Sequence, residues 1–310
     1  MGLTRRQLLS GAAAGASSAV AQFRAGNGPK VRTTPAVCLY SQLLIKVPYD
    51  ELGPVLRGLG VDGCDLSVFP GGHVNPELSS VDMMRSVEAV TGAGLDVPVI
   101  TTTYTSLADP TIRNVVGICG EMGVPLFKVG HWKYTAGTEV EARLAEVQRD
   151  LAGLAALARA VNMAIAIQNL AGENVGEAVW DINMMIRGMD PRTVGYDFDV
   201  ASATVEGGLG GWSVALRLAL PRLKMVTARD FVWSKDASGA WKVVPCPLGE
   251  GMVDWPKFFA VLARARFAGP ISIQMDYQPK DELAAMRRDV DFVRKQVNTA
   301  YGGGAGGRQG

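Results

Sequence analysis

Histidine and cysteine are scarce in this 310-residue chain, at two and four copies, and the scarcity excludes whole classes of site. No two cysteines form a CxxC pair, so a zinc ribbon has no ligands, and four in this length are too few for a disulfide scaffold. Neither sign of charge predominates. The 31 basic and 30 acidic side chains leave a net charge of +1, which argues against a nucleic-acid binder held by a broad basic face. No apolar run reaches the roughly 18 residues that a membrane-spanning helix needs. No GxGxxG follows the first candidate strand, which weighs against a dinucleotide fold. The remaining composition, 48% hydrophobic and 20% charged, is that of a globular chain with material for one large core. Such a length suits two domains or one α/β barrel, since these barrels run to roughly 250 residues as a single unit.

The first 21 residues read as an address. Arg5-Arg6-Gln7-Leu8-Leu9 precedes a weakly apolar Ala/Gly/Ser run and then Ala19-Val20-Ala21, a small-x-small cleavage site. The arginine pair resembles a twin-arginine signal peptide, which exports an already folded protein to the bacterial periplasm. Cleavage after Ala21 would take the net charge from +1 to −1. A short linker over 22–34 follows, then a body over 35–300. The Gly-rich end, 301–310, reads as a disordered tail. A periplasmic destination permits disulfides, yet for Cys38 and Cys64, on neighbouring candidate strands, buried free thiols are the expected state.

Within the body, short β-type runs alternate with helical patterns. The candidate strands are Ala36–Ser41, Gly63–Val68, Val97–Thr103, Leu126–Gly130, Ala164–Asn169, Val194–Asp199, Leu223–Asp230 and Gly269–Asp276. Each is short, apolar and followed by polar or glycine residues, as strands buried on both faces of a parallel sheet should be. Over Glu139–Asn162, the residues Leu144, Val147, Leu151, Leu154, Leu157 and Val161 form one helical stripe. A closing helix is expected after Asp281. Eight such units fit a single (β/α)8 TIM barrel better than an open doubly wound sheet.

A barrel carries its site where strands end and βα loops begin. The strand ends supply Asp65, Tyr104, Lys128, Gln168, Asn169, Asp197, Asp199, Thr227, Arg229, Asp230, Gln274 and Asp276. The loops add His73, His131, Trp132, Lys133, Tyr134, Glu173, Glu206, Trp233 and Glu250. So many polar groups at one mouth suit a hydroxyl-rich ligand. Trp132, Tyr134 and Trp233 are candidates to stack on a sugar's apolar face. His73 and His131, the only histidines, are candidate proton carriers near neutral pH. Arg229 and Lys128 are candidates to stabilise developing negative charge. Asp65, Tyr104, Trp132, Gln168, Asn169, Asp199, Glu206, Trp233, Gln274 and Asp276 are the candidate substrate contacts. Each of these residue types is also common as a solvated loop residue or a structural hydrogen-bonding group.

Several segments carry a family resemblance: Pro70-Gly71-Gly72-His73-Val74, Ala203-Thr204-Val205-Glu206-Gly207-Gly208, Ala228-Arg229-Asp230-Phe231 and, most specific, Pro247-Leu248-Gly249-Glu250-Gly251-Met252-Val253-Asp254 before Gly269-Pro270-Ile271-Ser272. Over roughly 35–298 the chain resembles the xylose-isomerase-like barrels, the sugar phosphate isomerase/epimerase superfamily. That resemblance implies one divalent ion, often manganese, held by a Glu, an Asp, a His and a Glu at the ends of strands five to eight. The ion would polarise the sugar while the two glutamates move a proton. The corresponding places here hold Gln168, Asp199, Thr227 and Gln274, and only Asp199 matches. The expected shell is therefore degenerate, since neutral amides replace anionic oxygens poorly around a hard cation and lack useful basicity. No cofactor is expected at the usual site; manganese or another divalent ion would need a shifted set drawn from Asp199, Asp276, Glu173 or Glu206 with His131.

The function expected on this basis is an exported isomerase- or epimerase-like protein for a sugar, keto-sugar or polyol. The alternatives are a carbohydrate-binding barrel that has lost its metal, or a metal-independent lyase on a keto-sugar. Apurinic-site endonuclease activity, also known on this superfamily's fold, needs more metal-binding histidines than two. The oligomeric state is left open by the sequence; a homodimer has in its favour only that dimers are the commonest state of soluble homo-oligomers.

Overall fold

The computed structural model describes residues 32–302. The signal segment 1–21, most of the 22–34 linker and the tail after 302 lie outside the described residues. Eight units of strand and helix follow one another: β1 (Val37–Tyr40) and α1 (Tyr49–Leu59), β2 (Gly63–Val68) and α2 (Ser79–Gly92), β3 (Asp96–Thr102) and α3 (Ile112–Glu121), β4 (Leu126–Lys128) and α4 (Val140–Ala160). The second half comprises β5 (Ala164–Gln168) and α5 (Val179–Ile186), β6 (Val194–Asp199) and α6 (Val200–Ala219), then β7 (Leu223–Ala228). After β7 come a hairpin of β8 (Asp230–Lys235) and β9 (Trp241–Cys246), then α7 (Trp255–Arg264), β10 (Ile271–Ile273) and α8 (Glu282–Gly302). The parallel strands are ordered β1-β10-β7-β6-β5-β4-β3-β2, and β1 pairs with both β10 and β2, so the sheet closes. This is the single (β/α)8 barrel that the alternation of patterns predicts.

The period of two along each strand sorts residues between the helices and the barrel interior. In β6, Val194, Tyr196 and Phe198 join the large apolar core under the helices, where Phe198 stacks on Phe258 of α7 at 6.1 Å between ring centroids. The alternate residues Asp197 and Asp199 therefore face inward. The same arithmetic stacks three inner layers. Val99, Leu126, Ala166 and Met225 form a separate apolar cluster nearer the strand starts. Two residues further along lie Thr101, Lys128, Gln168 and Thr227, and two beyond Asp197 and Thr227 lie Asp199 and Arg229. Polarity thus rises along the barrel axis towards the strands' C-terminal ends.

Three sequence expectations need correction. The run Leu223–Asp230 is two elements, with β7 ending at Ala228 and Asp230 opening the antiparallel hairpin. The turn is made by Asp236, whose Oδ1 accepts from the Ser238 and Ala240 amides, and by Gly239 at φ 85°. Such Asx-Ser-Gly chemistry between two β-rich runs is a legible hairpin signal that the strand list passed over. The strand expected to reach Asp276 stops at Ile273, so Gln274 and Asp276 lie on the following loop. The closing helix continues to Gly302, two residues into the segment assigned to the tail. Cys38 and Cys64 sit on adjacent strands, as expected, and are buried free thiols.

Candidate active site at the barrel mouth

Below the mouth lies a closed ionic floor. The Lys128 ammonium meets Asp197 at 3.1 Å, with the two side chains 3% and 0% exposed. Thr227 donates its hydroxyl to the same carboxylate at 2.8 Å. Across the barrel, Asp65 accepts from the Thr101 and Ser272 hydroxyls, each at 2.6 Å. Burial raises the Asp65 pKa above the usual carboxylate range and the nearby Asp197 adds to this, while Lys128, Ser272 and Thr101 act against it. One buried cation between two buried carboxylates holds these strands in register, because each group is too costly to leave unpaired. Asp65 and Lys128 are thus buried and paired within the barrel, below the mouth.

Above this floor is the cluster that the resemblance points to. Asp199 ends β6 and caps α6, its Oδ1 accepting the Ser202 amide at 3.0 Å. Its Oδ2 accepts from the Gln168 side-chain amide at 2.8 Å and also from Arg229 Nη2. Asn169 fixes the backbone beneath it, donating to the Asp199 carbonyl at 3.0 Å and accepting the Asp199 amide at 2.8 Å. Arg229, between β7 and the hairpin, also donates from Nη2 to Ser202 Oγ at 3.1 Å and from Nη1 to Asp276 at 2.6 Å. Its Nε is buried with no hydrogen-bond partner. Burial would lower the Arg229 pKa, but Asp199 and Asp276 more than offset it and hold the guanidinium charged. The Gln274 backbone N–H donates to the carbonyl of Ala228, the residue before Arg229.

His131, in the loop after β4, is electrostatically coupled to the same groups. Burial, then Lys128, Arg229 and Lys133, push its pKa down to about 4 against the opposing pull of Asp199. The imidazole is therefore neutral across the physiological range, with one N–H to give and one lone pair to accept.

The remaining candidates lie apart from this cluster. His73 is buried after β2, where its Nδ1 lies 3.3 Å from the Ser41 carbonyl and its amide donates to Ser67 Oγ. Burial lowers its pKa, countered by the Ser41 and Val47 carbonyls. Tyr104 is buried with its hydroxyl 2.7 Å from Thr111, and Trp132 is buried with Nε1 donating to Asp150 at 3.3 Å. Neither presents a face for stacking. Tyr134 donates to Asp181, Glu206 is exposed beside Glu177 and Asp181, and Trp233 stands 41% exposed on the hairpin against Phe231. Asp230 anchors the Pro247–Val253 loop by accepting from the Gly249, Gly251 and Val253 amides and from Trp255 Nε1. A side chain at Gly251 would collide with that carboxylate, and Gly249 sits at φ 85°, so this most recognisable motif is a loop wrapped on one buried acid. Sequence inspection missed Ser202, Thr101 and Ser272 as partners; the period-two arithmetic was the available signal for the last two.

The four places at which the resemblance implies metal ligands do not fit a divalent ion. Gln168 spends its amide on Asp199, Thr227 points its hydroxyl down at Asp197, and Asp199 itself is taken by Arg229. Among the described residues no group of three or more His, Cys, Asp or Glu is placed to hold a metal, which includes the shifted set.

The family model described as Xylose isomerase-like TIM barrel matches residues 55–296. No curated protein matches the sequence. Among solved structures, the chain is similar to L-ribulose 3-epimerase, at 14% identity and a TM-score of 0.69 over 89% of this chain and 100% of that one. It is similar also to a xylose isomerase-like TIM barrel protein from Mycobacterium smegmatis in complex with magnesium, at 15% identity and 0.67 over 86% and 97%. A third is 3-keto-D-glucoside 4-epimerase from E. coli, at 16% identity and 0.67 over 84% and 99%.

Proposed function

The chain belongs to the xylose isomerase-like TIM barrel family, and we propose that it is an isomerase- or epimerase-class protein for a neutral keto-sugar or polyol. The observation that carries this reading is the array of Gln168, Asn169, Asp199 and Arg229 at the barrel mouth with a neutral His131 beside it. Amides and a paired carboxylate suit hydroxyl groups, and no helix of the described residues is long and apolar enough to cross a membrane. In the proposed reaction on a keto-sugar the substrate's own carbonyl activates the neighbouring C–H; a polyol, which has no carbonyl, would only bind. His131 takes that proton on its free ring nitrogen while the electron pair moves onto the carbonyl oxygen, held by the unpartnered Arg229 Nε–H. Reprotonation of the same carbon from the opposite face by water, with the His131 proton passing back to solvent, gives an epimer; return of the His131 proton to the adjacent carbon, with an oxygen-to-oxygen proton shift, gives an isomer. No divalent ion takes part at Gln168, Asp199, Thr227 and Gln274. We further propose export to the periplasm by the twin-arginine route, on the Arg5-Arg6 and Ala19-Val20-Ala21 signals, and assembly as a homodimer.

The test is proton exchange. The protein is incubated with neutral keto-sugars in deuterated water, and deuterium entering at carbon is followed by NMR. Exchange that His131→Gln abolishes supports the reading. Saturable sugar binding with no exchange favours a barrel that only binds, a reading that the amides at both family glutamate places support.

A further inference from the structure

A shell that lacks a metal's ligands would leave a polar hole at the mouth, but here a side chain fills it. The Arg229 guanidinium links Asp199, which ends β6, Ser202 on α6 and Asp276 in the loop after β10. Through the shared Asp199 oxygen it is joined to Gln168, which ends β5. It therefore stands at the ends of barrel strands six and seven, bonded to the loop after strand eight and joined to strand five through Asp199, at the strand ends where the resemblance places the ion's ligands. The charges agree. One anion at the four family places and a second at Asp276 face one resident cation that is 17% exposed and cannot dissociate, leaving the same single negative charge that three acids around a divalent ion would leave. A guanidinium carries five N–H donors. Three are engaged by Asp199, Ser202 and Asp276, while the buried Nε–H has no partner in the protein. A buried, charged donor without an acceptor is costly, and a ligand oxygen would satisfy it.

We propose that Arg229 is a tethered substitute for the family's divalent ion, with its Nε–H as the donor that receives a ligand's carbonyl or hydroxyl oxygen. The ligand half of this proposal rests on the sugar reading above; the ion-replacement half does not. A guanidinium offers directional hydrogen bonds and a single charge already shared with two carboxylates. The site accordingly selects neutral hydroxy-carbonyl compounds over phosphorylated ones, whose dianion it has no spare charge to balance.

The ion half is tested without any sugar, by titrating the full-length protein with manganese and following free Mn2+ by electron paramagnetic resonance alongside the melting temperature. The wild-type protein should take up no stoichiometric manganese and keep its melting temperature in a chelator. Arg229→Ala frees Asp199, Asp276 and Gln168, and should gain a manganese site that raises its melting temperature by about 3 °C at about 1 mM ion. Added methylguanidinium should displace that manganese. One equivalent of manganese on the wild type, lost in Asp199→Asn, would overturn the proposal, as would an Arg229→Ala protein that gains no uptake. If Arg229→Ala does not fold, Arg229→Gln, which keeps the bulk without the charge, reads the same gain. For the ligand half, Arg229→Lys keeps the charge and loses Nε–H. It should still exclude manganese while weakening keto-sugar binding at least about tenfold; unchanged affinity would overturn that half. Failure of every sugar to bind the wild type would sink the sugar reading and leave the manganese result standing.

Discussion

Lys128 and Asp197 meet at 3.1 Å in the middle of the barrel, where neither side chain reaches solvent. The contact crosses from β4 to β6 beneath the mouth, and with Thr227, Asp65, Thr101 and Ser272 it replaces the apolar filling usual in such barrels. Its expense makes it a sensitive probe of how the barrel is held.

Asp197→Asn should destabilise the protein by about 3–5 kcal/mol, because it strands a buried ammonium. Lys128→Met should do comparable harm through Asp197, whereas the double variant should be more stable than either single one. Urea denaturation of the three proteins measures this; singles as stable as the double would show that the pair is not coupled.

Arg229 has two carboxylate partners in different surroundings. Asp199 is fully buried and Asp276 is 46% exposed. Asp199→Asn, which preserves an acceptor for the Ser202 cap, should still cost about 3 kcal/mol by leaving the guanidinium half-paired. Asp276→Asn should cost no more than about 1 kcal/mol, since water screens an exposed pair. Equal losses in the two melting curves would count against the central place given to Asp199.

His131 should impose a pH dependence on stability. Its pKa falls from 6.5 in the unfolded chain to about 4 in the fold. Between those values the unfolded chain binds a proton that the folded protein refuses, so stability is complete above about pH 6.5 and declines towards pH 4. The loss across that window is about 3 kcal/mol. His131→Gln should flatten this limb. Any proton transfer through His131 should be level between pH 6 and 8 and fail only near pH 4.

Asp230 collects backbone amides from a loop that contains no regular structure of its own. Asp230→Ala should cost more than about 3 kcal/mol, because several charge-assisted hydrogen bonds disappear together. It should also open Pro247–Val253 to proteolysis. A loop that stays protease-resistant in this variant would mean that α7 packing alone holds it.

Much of this was legible along the chain. The alternation of short β-rich runs with helical stripes is a local property, so the eight-unit barrel could be read from periodicity, with β2 and β6 correct at both ends. The C-terminal ends of those strands then named Gln168, Asn169, Asp199 and Arg229 as mouth residues. The Asp236–Gly239 turn was equally local and was overlooked.

The roles within the site were another matter, because they depend on which strand lies beside which and on the distance between side chains 30 or more positions apart. Sequence alone placed Asp65 among ligand contacts, Lys128 among groups that stabilise developing charge, and Trp132 among stacking faces; closure of the barrel put the first two in an ionic floor and the third against Asp150. Gln168 and Gln274, standing where the resemblance implies glutamates, were visible as lost charge. That a guanidinium fills the gap followed only from β6, β7 and the loop after β10 converging on one point, where burial makes a cation and its carboxylates choose each other over water.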